Sequence, residues 1–192
     1  MPPPYHGKRL PESVYHRLPS GGGPARPLPL SSLNVFDAVR TLLAVRQHQD
    51  RPLPDEVVHR IVEAAHLTAS SMNKQPRHFV VVRDRERLRQ LGGLVRTGPS
   101  IADEKASQFG VSDASRAVQS MMLTARAQGV GSSRAGFRGL DQVAGFLGLP
   151  AELDVLAVVP FGYPAQALGR GTKQRRPLGE VAPSERYGQA FE

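Results

Sequence analysis

Residues 68–82 read Thr68-Ala69-Ser70-Ser71-Met72-Asn73-Lys74-Gln75-Pro76-Arg77-His78-Phe79-Val80-Val81-Val82. Apolar residues recur at helical spacing just before this stretch, from Val57 to Ala65, and the valines at its end are typical of a buried strand. The sequence therefore predicts a helix, a turn rich in polar residues, and a core strand in that order. Ordinary helix-to-strand loops often have this composition, so a plain loop stays open as an alternative.

The composition limits the class of protein. The chain has 192 residues, 40% of them hydrophobic, which suits one compact domain with its own core. The absence of cysteine excludes disulfides, thiolate nucleophiles, cysteine-ligated zinc and iron–sulfur clusters. Redox chemistry would therefore need a cofactor. No apolar stretch has the length of a membrane span or the form of a signal peptide, so we expect a cytoplasmic protein without a membrane partner.

The formal net charge of +8 raises the question of nucleic-acid binding. The basic residues are spread along the chain and alternate with acidic ones, as in Arg83-Asp84-Arg85-Glu86-Arg87. Only 6% of the residues are aromatic, and no zinc-finger or RNP-like pattern provides a recognition helix or a stacking platform. We therefore expect no nucleic-acid partner. A protein of that class would show an affinity that falls steeply with salt.

The chain divides into an extension and one domain. Residues 1–31 are rich in proline and glycine and poor in apolar side chains, which predicts a disordered extension before a domain at 32–192. A β-branched run predicts a second core strand at Leu153–Val159. Apolar spacing predicts helices at residues 35–43, 57–65, 85–91, 112–128 and 143–147, with Gly92-Gly93 ending the third and Gly129 capping the fourth.

The polar turn resembles the flavin-binding signature of the nitroreductase family. The resemblance rests on the order Ser70-Ser71, Asn73 and Gln75-Pro76, with a helix before it and a strand after it. It extends over residues 34–192 through further patches in the family's order. These are Ala38–Arg46 with Asp50–Pro52, Ser112–Leu123, Gly129–Ser132, and Phe161–Pro164 with Lys173–Leu178 and Glu185–Tyr187.

The resemblance implies an α+β fold in which helices flank a mixed sheet. It also implies an intertwined homodimer with FMN at the interface, in which the tail from Ala165 to Glu192 crosses onto the partner. The implied activity is the reduction of nitroaromatic, quinone or similar electron-poor acceptors by ping-pong hydride transfer, with NADPH or NADH as donor. The flavin would do this chemistry while the protein supplies binding, orientation and charge. No side chain is implied as a nucleophile or catalytic acid.

The resemblance also implies the cofactor-binding residues. Arg46 would stabilise the negative charge of reduced flavin, although its pattern also fits a plain surface charge. The remaining residues fall into three groups by role. Ser70, Ser71, Asn73 and Gln75 would contact the flavin, Gly131 and Ser132 would lie along it through their backbone, and Lys173 and Arg175 would hold the phosphate or else form a solvated basic tail. No metal is expected, because His59 and His66 lack an acidic partner at ligand spacing.

The chain departs from the family pattern at several positions. Leu42 and Ala44 stand where the family often has Arg and Ser, and no central apolar strand is visible between Ala102 and Lys105. We therefore expect a sheet that has lost or shortened one central strand. Arg77, Arg126 and Arg134 stand at positions where the family often has Trp, which this chain lacks. These departures favour a second hypothesis, a degenerate, non-catalytic flavin-binding or interaction module.

Overall fold

The computed structural model describes residues 33–94, 108–135, 140–167 and 175–189. These ranges contain six helices and two short strands. In chain order they are α1 (Val35–Thr41), α2 (Asp55–His66), α3 (Arg85–Leu94), α4 (Gln108–Ala127), β1 (Gly131–Ser132), α5 (Leu140–Leu147), β2 (Phe161–Gly162) and α6 (Leu178–Val181), with a single 3₁₀ turn at Ser71–Asn73. The predicted extension at 1–31 and the predicted strand loss between Ala102 and Lys105 lie outside the described residues.

Helix α4 is the central element, since α1, α2 and β1 all pack against it. Helix α2 contributes Val57 and Ile61, four residues apart on one face, to a core cluster with Ala125 and Val130. Full burial of a valine or isoleucine side chain stabilises a fold by about 1.5–3 kcal/mol. The apolar stripe predicted for residues 57–65 is therefore the buried face of α2, as expected.

A second core cluster joins α3 and α5 around Leu91 and Val143. Helix α3 continues through Gly92 and Gly93 to Leu94, so the prediction that these glycines end the helix is wrong. Leu94 packs against this cluster. Its contact offsets the cost of about 1 kcal/mol that each glycine imposes inside a helix.

The sheet is smaller than the predicted mixed sheet. β1 and β2 pair antiparallel, with Gly131 opposite Gly162, and Ala44 adds one parallel bridge to Ser132. Val80 and Val81 are half-exposed, and residues 78–83 make no backbone hydrogen bond to another described segment. The prediction of a buried strand there is therefore wrong, because a run of valines does not supply a neighbouring strand. Within the described residues, the run Leu153–Val159 forms one antiparallel bridge, from Val158 to Ala135, and no longer strand.

Helices α4 and α5 each end at a glycine in the left-handed conformation. Gly129, predicted as the cap of α4, has φ 73°, and Val130 donates its N–H to the carbonyl of Ala125 at 2.9 Å. Gly148 ends α5 in the same way, with φ 67°. Only glycine adopts this conformation without strain, and the paired hydrogen bonds satisfy carbonyls at the helix end.

None of the helices in the described ranges is both long and apolar enough to cross a membrane. The same ranges hold no group of three or more histidine or acidic side chains that could bind a metal.

Candidate functional site

The polar loop after α2 carries four of the predicted site residues. Ser70 accepts the N–H of Gln75 at its Oγ over 2.8 Å, and the carbonyl of Ser70 accepts the N–H of Asn73 over 3.0 Å. Met72, Asn73 and Gln75 have φ of 50°, 53° and 48°. For residues with a Cβ the left-handed region costs roughly 1–2 kcal/mol, least for asparagine. Hydrogen bonds within the loop and contacts with its neighbours must therefore offset the cost of this conformation.

This loop presents its polar side chains outward. Ser71, Asn73 and Gln75 are exposed, and Ser70 is half-buried. The side-chain amide of Asn73 makes no hydrogen bond to any residue that the structure describes, while Gln75 reaches only the carbonyl of Asn73 at 3.5 Å. Amide donors and acceptors at this place are thus available to a ligand.

Arg46 lies on a different part of the molecule. It lines an open cavity of about 380 Å³ between the segment after α1 and the segment after β2. The wall is formed by Thr41, Leu43, Ala44, Val45, Gln47, Pro164, Gln166 and Ala167. Arg46 is exposed and forms no ion pair within the described ranges. Arg46 is therefore the charged residue among the described residues that line this recess.

Gly131 and Ser132 lie beside this cavity wall. The N–H of Val45 donates to the carbonyl of Ser132 at 2.9 Å, and a Cβ on Gly131 would lie 2.6 Å from Cγ1 of Val45. Only glycine allows so close an approach. The Ser132 side chain is buried, and its Oγ has no hydrogen-bond partner among the described residues. The structure thus joins Arg46, Gly131 and Ser132 in one group.

Glycine is also needed on the neighbouring strand. A Cβ on Gly162 would lie 2.9 Å from the ring of His48, and Ala165 donates its N–H to the carbonyl of Gln47 at 3.0 Å. Gln49 adds a bond from Nε2 to the carbonyl of Pro164 at 2.8 Å. These contacts fix the segment after β2 against the segment after α1 and so shape the cavity.

Of the two residues predicted to bind phosphate, the structure describes only Arg175. Lys173 lies outside the described residues. Arg175 is exposed in the segment just before α6, and it is not among the residues that line the cavity.

The loop group and the cavity group contact α4 at different places. The loop contacts α4 at Asp113 and Ser120, through Ser71 and Thr68. The cavity side contacts it at Arg126, whose Nε donates to Oγ1 of Thr41 at 3.0 Å. Along α4, Arg126 lies roughly 20 Å from Asp113 and roughly 9 Å from Ser120 at 1.5 Å per residue. Among the described residues of one chain, no hydrogen bond joins the loop group directly to the cavity group.

The departures noted in the sequence have definite places. Ala44 lines the cavity without a side-chain donor, and Leu42 is half-buried at the end of α1. Arg126 lies on a partly buried helix face and donates from Nε to the hydroxyl of Thr41. Arg134 is exposed beyond β1. Arg77 binds backbone carbonyls of the loop and of α4.

Sequence reasoning missed Asp113, a buried carboxylate that contacts the loop. The sequence placed it within the patch Ser112–Leu123 that resembles the family and assigned it no role of its own. It also missed the cavity residues after β2, Pro164 and Gln166, because their contact with the segment after α1 is far from local. Apolar spacing identifies buried helix faces, so it could not indicate a role for Asp113 or for the cavity residues Pro164 and Gln166.

A sequence model of the nitroreductase family matches residues 43–108 and 93–163 of the chain. A protein of Methanothermobacter thermautotrophicus, named as a candidate NADH dehydrogenase/NAD(P)H nitroreductase, is 32% identical over 157 residues, which are 73% of this chain and 82% of that protein. A protein of the same name from Archaeoglobus fulgidus is 33% identical over 144 residues, 66% of this chain and 83% of that one.

Solved structures share the fold. A nitroreductase family protein of Clostridium difficile 630 superposes with a TM-score of 0.67 at 22% identity, covering 80% of this chain and 99% of that one. A candidate nitroreductase of Desulfovibrio desulfuricans, solved in complex with FMN, superposes with a TM-score of 0.65 at 29% identity, covering 84% of this chain and 99% of that one. The α+β arrangement of helices around a small sheet is therefore the fold of these proteins.

Proposed function

The chain belongs to the nitroreductase family of oxidoreductases, and from this premise we propose that it uses NADPH or NADH to reduce nitroaromatic, quinone or similar electron-poor acceptors through bound FMN. The names of the relatives from Methanothermobacter thermautotrophicus and Archaeoglobus fulgidus support the nicotinamide donor. The FMN in the Desulfovibrio desulfuricans structure supports the cofactor. The acceptor class is the one that the resemblance to the nitroreductases implies, and a bound flavin would supply the hydride chemistry that it needs.

The observation that carries the proposal is the polar loop at Ser70–Gln75. It holds three residues in the left-handed region and leaves the amide of Asn73 exposed without a partner among the described residues. Strained backbone of this kind persists where the surroundings over-determine it, and it concentrates at ligand sites. A side-chain amide both donates and accepts, which suits the alternating donors and acceptors along the edge of a flavin ring.

The cavity group fits the other needs of such a cofactor. FMN, if bound, would supply two-electron hydride chemistry between donor and acceptor. Arg46 provides a fixed positive charge at the open recess, which favours negative charge on a ligand there. Leu43 and Val45 offer apolar wall for a flat ring. The buried Ser132 Oγ has hydrogen-bonding capacity to spare.

A homodimer would complete the site. The loop group and the cavity group contact α4 at different places, so two antiparallel copies of α4 would place the loop of one chain near the cavity of the other. Helix α1 supports this arrangement, because Val35 and Phe36 are 77% and 73% exposed. Large apolar side chains exposed side by side are typical of interfaces. The second chain would cover them.

The test is a visible absorbance spectrum of purified protein after FMN is added and the excess is removed. Retained flavin absorbance that bleaches on anaerobic addition of NADPH or NADH would support the reductase. Reoxidation by a quinone or nitroaromatic compound would then identify the acceptor class. A folded protein that retains no flavin would refute the proposal.

A non-catalytic flavin-binding module is the second candidate. Leu42 and Ala44 favour it, because neither side chain gives the cavity a hydrogen-bond donor. The affinity and charge of the site then depend on Arg46 and on backbone groups. The same spectrum distinguishes the two candidates, because a module of this kind would retain flavin that neither nucleotide bleaches.

A further inference from the structure

The geometry points to Arg77 and Asp113 as positioning residues that hold the loop at Ser70–Gln75 in its ligand-binding conformation. We refer to this pair and its contacts as the loop clamp. The inference deepens the proposed function, on which its effect on FMN affinity rests. The conformation of the loop itself can be measured without any cofactor.

Arg77 fastens the two ends of the loop to each other and to α4. Its Nη2 donates to the carbonyl of Thr68, and its Nη1 donates to the carbonyls of Ala69 and Asp113 at 3.3 and 3.4 Å. Thr68 and Ala69 directly precede the loop, whereas Arg77 lies two residues after its end at Gln75. A planar guanidinium can bond carbonyls from two elements at once, which the point charge of lysine cannot do.

Asp113 binds the loop at Ser71 from α4. Its side chain is 4% exposed and pairs with Arg116 on the next turn of α4. Its other carboxylate oxygen accepts the N–H of Ser71 at 3.4 Å, where the 3₁₀ turn begins. A buried carboxylate is costly unless its lone pairs are used. Both oxygens of Asp113 are used, one by Arg116 and one by the loop.

A chain of hydroxyl contacts closes the clamp. Thr68 donates from Oγ1 to Oγ of Ser120 at 2.8 Å, and that hydroxyl donates to the carbonyl of Arg116 at 3.1 Å. Arg116 in turn pairs with Asp113. The loop is therefore tied to one face of α4 over two turns, at Asp113 and at Ser120. This over-determination explains how three left-handed residues persist in so short a segment.

The clamp acts on the residues that would touch the ligand, because Asn73 and Gln75 lie between its two anchor points. Neither Arg77 nor Asp113 needs to contact the cofactor. Without the contacts of Arg77 and Asp113, the loop residues can leave the left-handed region. Binding of the ligand must then order the loop again. That cost appears as weaker affinity.

The experiment compares Arg77→Lys and Asp113→Asn with the natural protein by hydrogen exchange of the full chain without FMN. The amides of Asn73, Lys74 and Gln75 are hydrogen-bonded within the loop and report on it. We expect them to exchange about tenfold faster or more in both variants, the scale set by losing a hydrogen bond to a charged group. Exchange within α2 and the C-terminal half of α4 should be unchanged.

A matched control is available in Arg83 and Asp55. Arg83 likewise joins two segments of the chain, through the carboxylate of Asp55 and the backbone carbonyl of Leu53, and it does so on an exposed surface. Arg83→Lys and Asp55→Asn make the same chemical changes as the two test variants. They should leave exchange in the loop as it is in the natural protein.

The second measurement is the FMN dissociation constant, with the fine structure of the bound flavin band as a spectroscopic signature. We expect the constant to rise about tenfold or more in the clamp variants and to stay unchanged in the controls. Loop amides that exchange at the natural rate would overturn the clamp. Faster exchange spread equally over all helices would also overturn it, because a purely structural role predicts that pattern.

Failure of the clamp and failure of the proposed function give different results. If the natural protein retains no FMN, the proposed function fails, while the exchange comparison still decides whether the clamp exists. If Asp113→Asn does not fold, Arg77→Lys carries the test, because it keeps the charge and removes only the bridging geometry.

Discussion

The backbone at Gly131 packs so closely against Val45 that there is no space for a Cβ. A Cβ there would meet three atoms of Val45 at 2.6 to 2.8 Å, and Val45 belongs to the extended segment that bonds Ser132. We predict that Gly131→Ala destabilises the fold by about 1–3 kcal/mol through overpacking. The melting temperature, followed by circular dichroism, should fall by roughly 2–10 °C for a chain of this size.

Two variants check the cause of that loss. Val45→Ala removes two of the three colliding atoms, so the double variant should be more stable than the sum of the two single losses implies. Gly92→Ala adds the same methyl group where nothing lies within 4 Å, inside α3, and should keep or raise the melting temperature. Strict additivity in the double variant would contradict the proposed collision.

Arg46 is the residue on which the charge of the cavity depends. We predict that Arg46→Ala raises the FMN dissociation constant by roughly 10- to 100-fold, which corresponds to a charged hydrogen bond of about 1.5–3 kcal/mol. Titration of FMN fluorescence measures this directly. Arg89→Ala, which removes an exposed arginine paired with Glu86 on α3, is the control for net charge and should bind as the natural protein does. Equal losses in both variants would assign the effect to long-range charge.

Arginine at residues 77 and 126 illustrates what a sequence reveals at this scale. An arginine near a core strand or on a buried helix face requires partners, and the order of residues along the chain is enough to state that requirement. It does not identify the partners, because Thr41 lies far along the chain from Arg126 and Asp113 lies far from Arg77. Only the folded chain brings these atoms within bonding distance.

At the scale of elements, the end of α4 decides where β1 begins. Gly129 has φ 73°, and the bond from Val130 to Ala125 turns the chain directly into β1. We predict that Gly129→Ala costs about 1–2 kcal/mol, the penalty of the left-handed region for a residue with a Cβ. Urea denaturation should show a lower midpoint with an unchanged slope.

Gly145→Ala is the control for that variant. Gly145 lies within α5, where a Cβ meets nothing within 4 Å, and its backbone is helical. Alanine there should stabilise the fold by about 0.5–1 kcal/mol, through lower entropy of the unfolded chain. Loss of stability at Gly145 comparable to that at Gly129 would refute the explanation by backbone conformation.

Helices and strands differed in how well the sequence predicted them. Each helix satisfies its backbone hydrogen bonds within itself, so apolar spacing and capping glycine located α1, α2, α4 and α5 to within a few residues. A strand needs a neighbour for every ladder bond. The valines at 80–82 supply β propensity but no partner among the described segments, whereas the short pair Gly131–Ser132 and Phe161–Gly162 has one.

At the scale of the whole molecule, the separation of the two ligand groups predicts a functional dimer. We expect Phe36→Glu to give a monomer by light scattering, where the natural protein gives twice the chain mass. The charge would be placed on a side chain that is 73% exposed in one chain, so the protomer should stay folded. The monomer should lose retained FMN, because loop and cavity would no longer meet.

Leu88→Glu provides the comparison. Leu88 is 45% exposed on α3, away from α1, so the same change there should leave both the mass and the retained flavin unaltered. A Phe36→Glu monomer that holds FMN as tightly as the natural protein would show that one chain forms the complete site. That result would contradict the shared site and leave the family membership untouched.

The sequence by itself determined the family, the order of the helices and the residue types of the loop at 70–75. It could do so because helix periodicity, capping and motif order are local properties of the chain. The tertiary structure decided that Gly131 and Ser132 lie beside the cavity wall that contains Arg46, and that the loop is fastened to α4 through Arg77 and Asp113. It also decided that the two groups contact α4 at different places. These relations depend on contacts between residues distant in the chain, and only packing around α4 sets those distances.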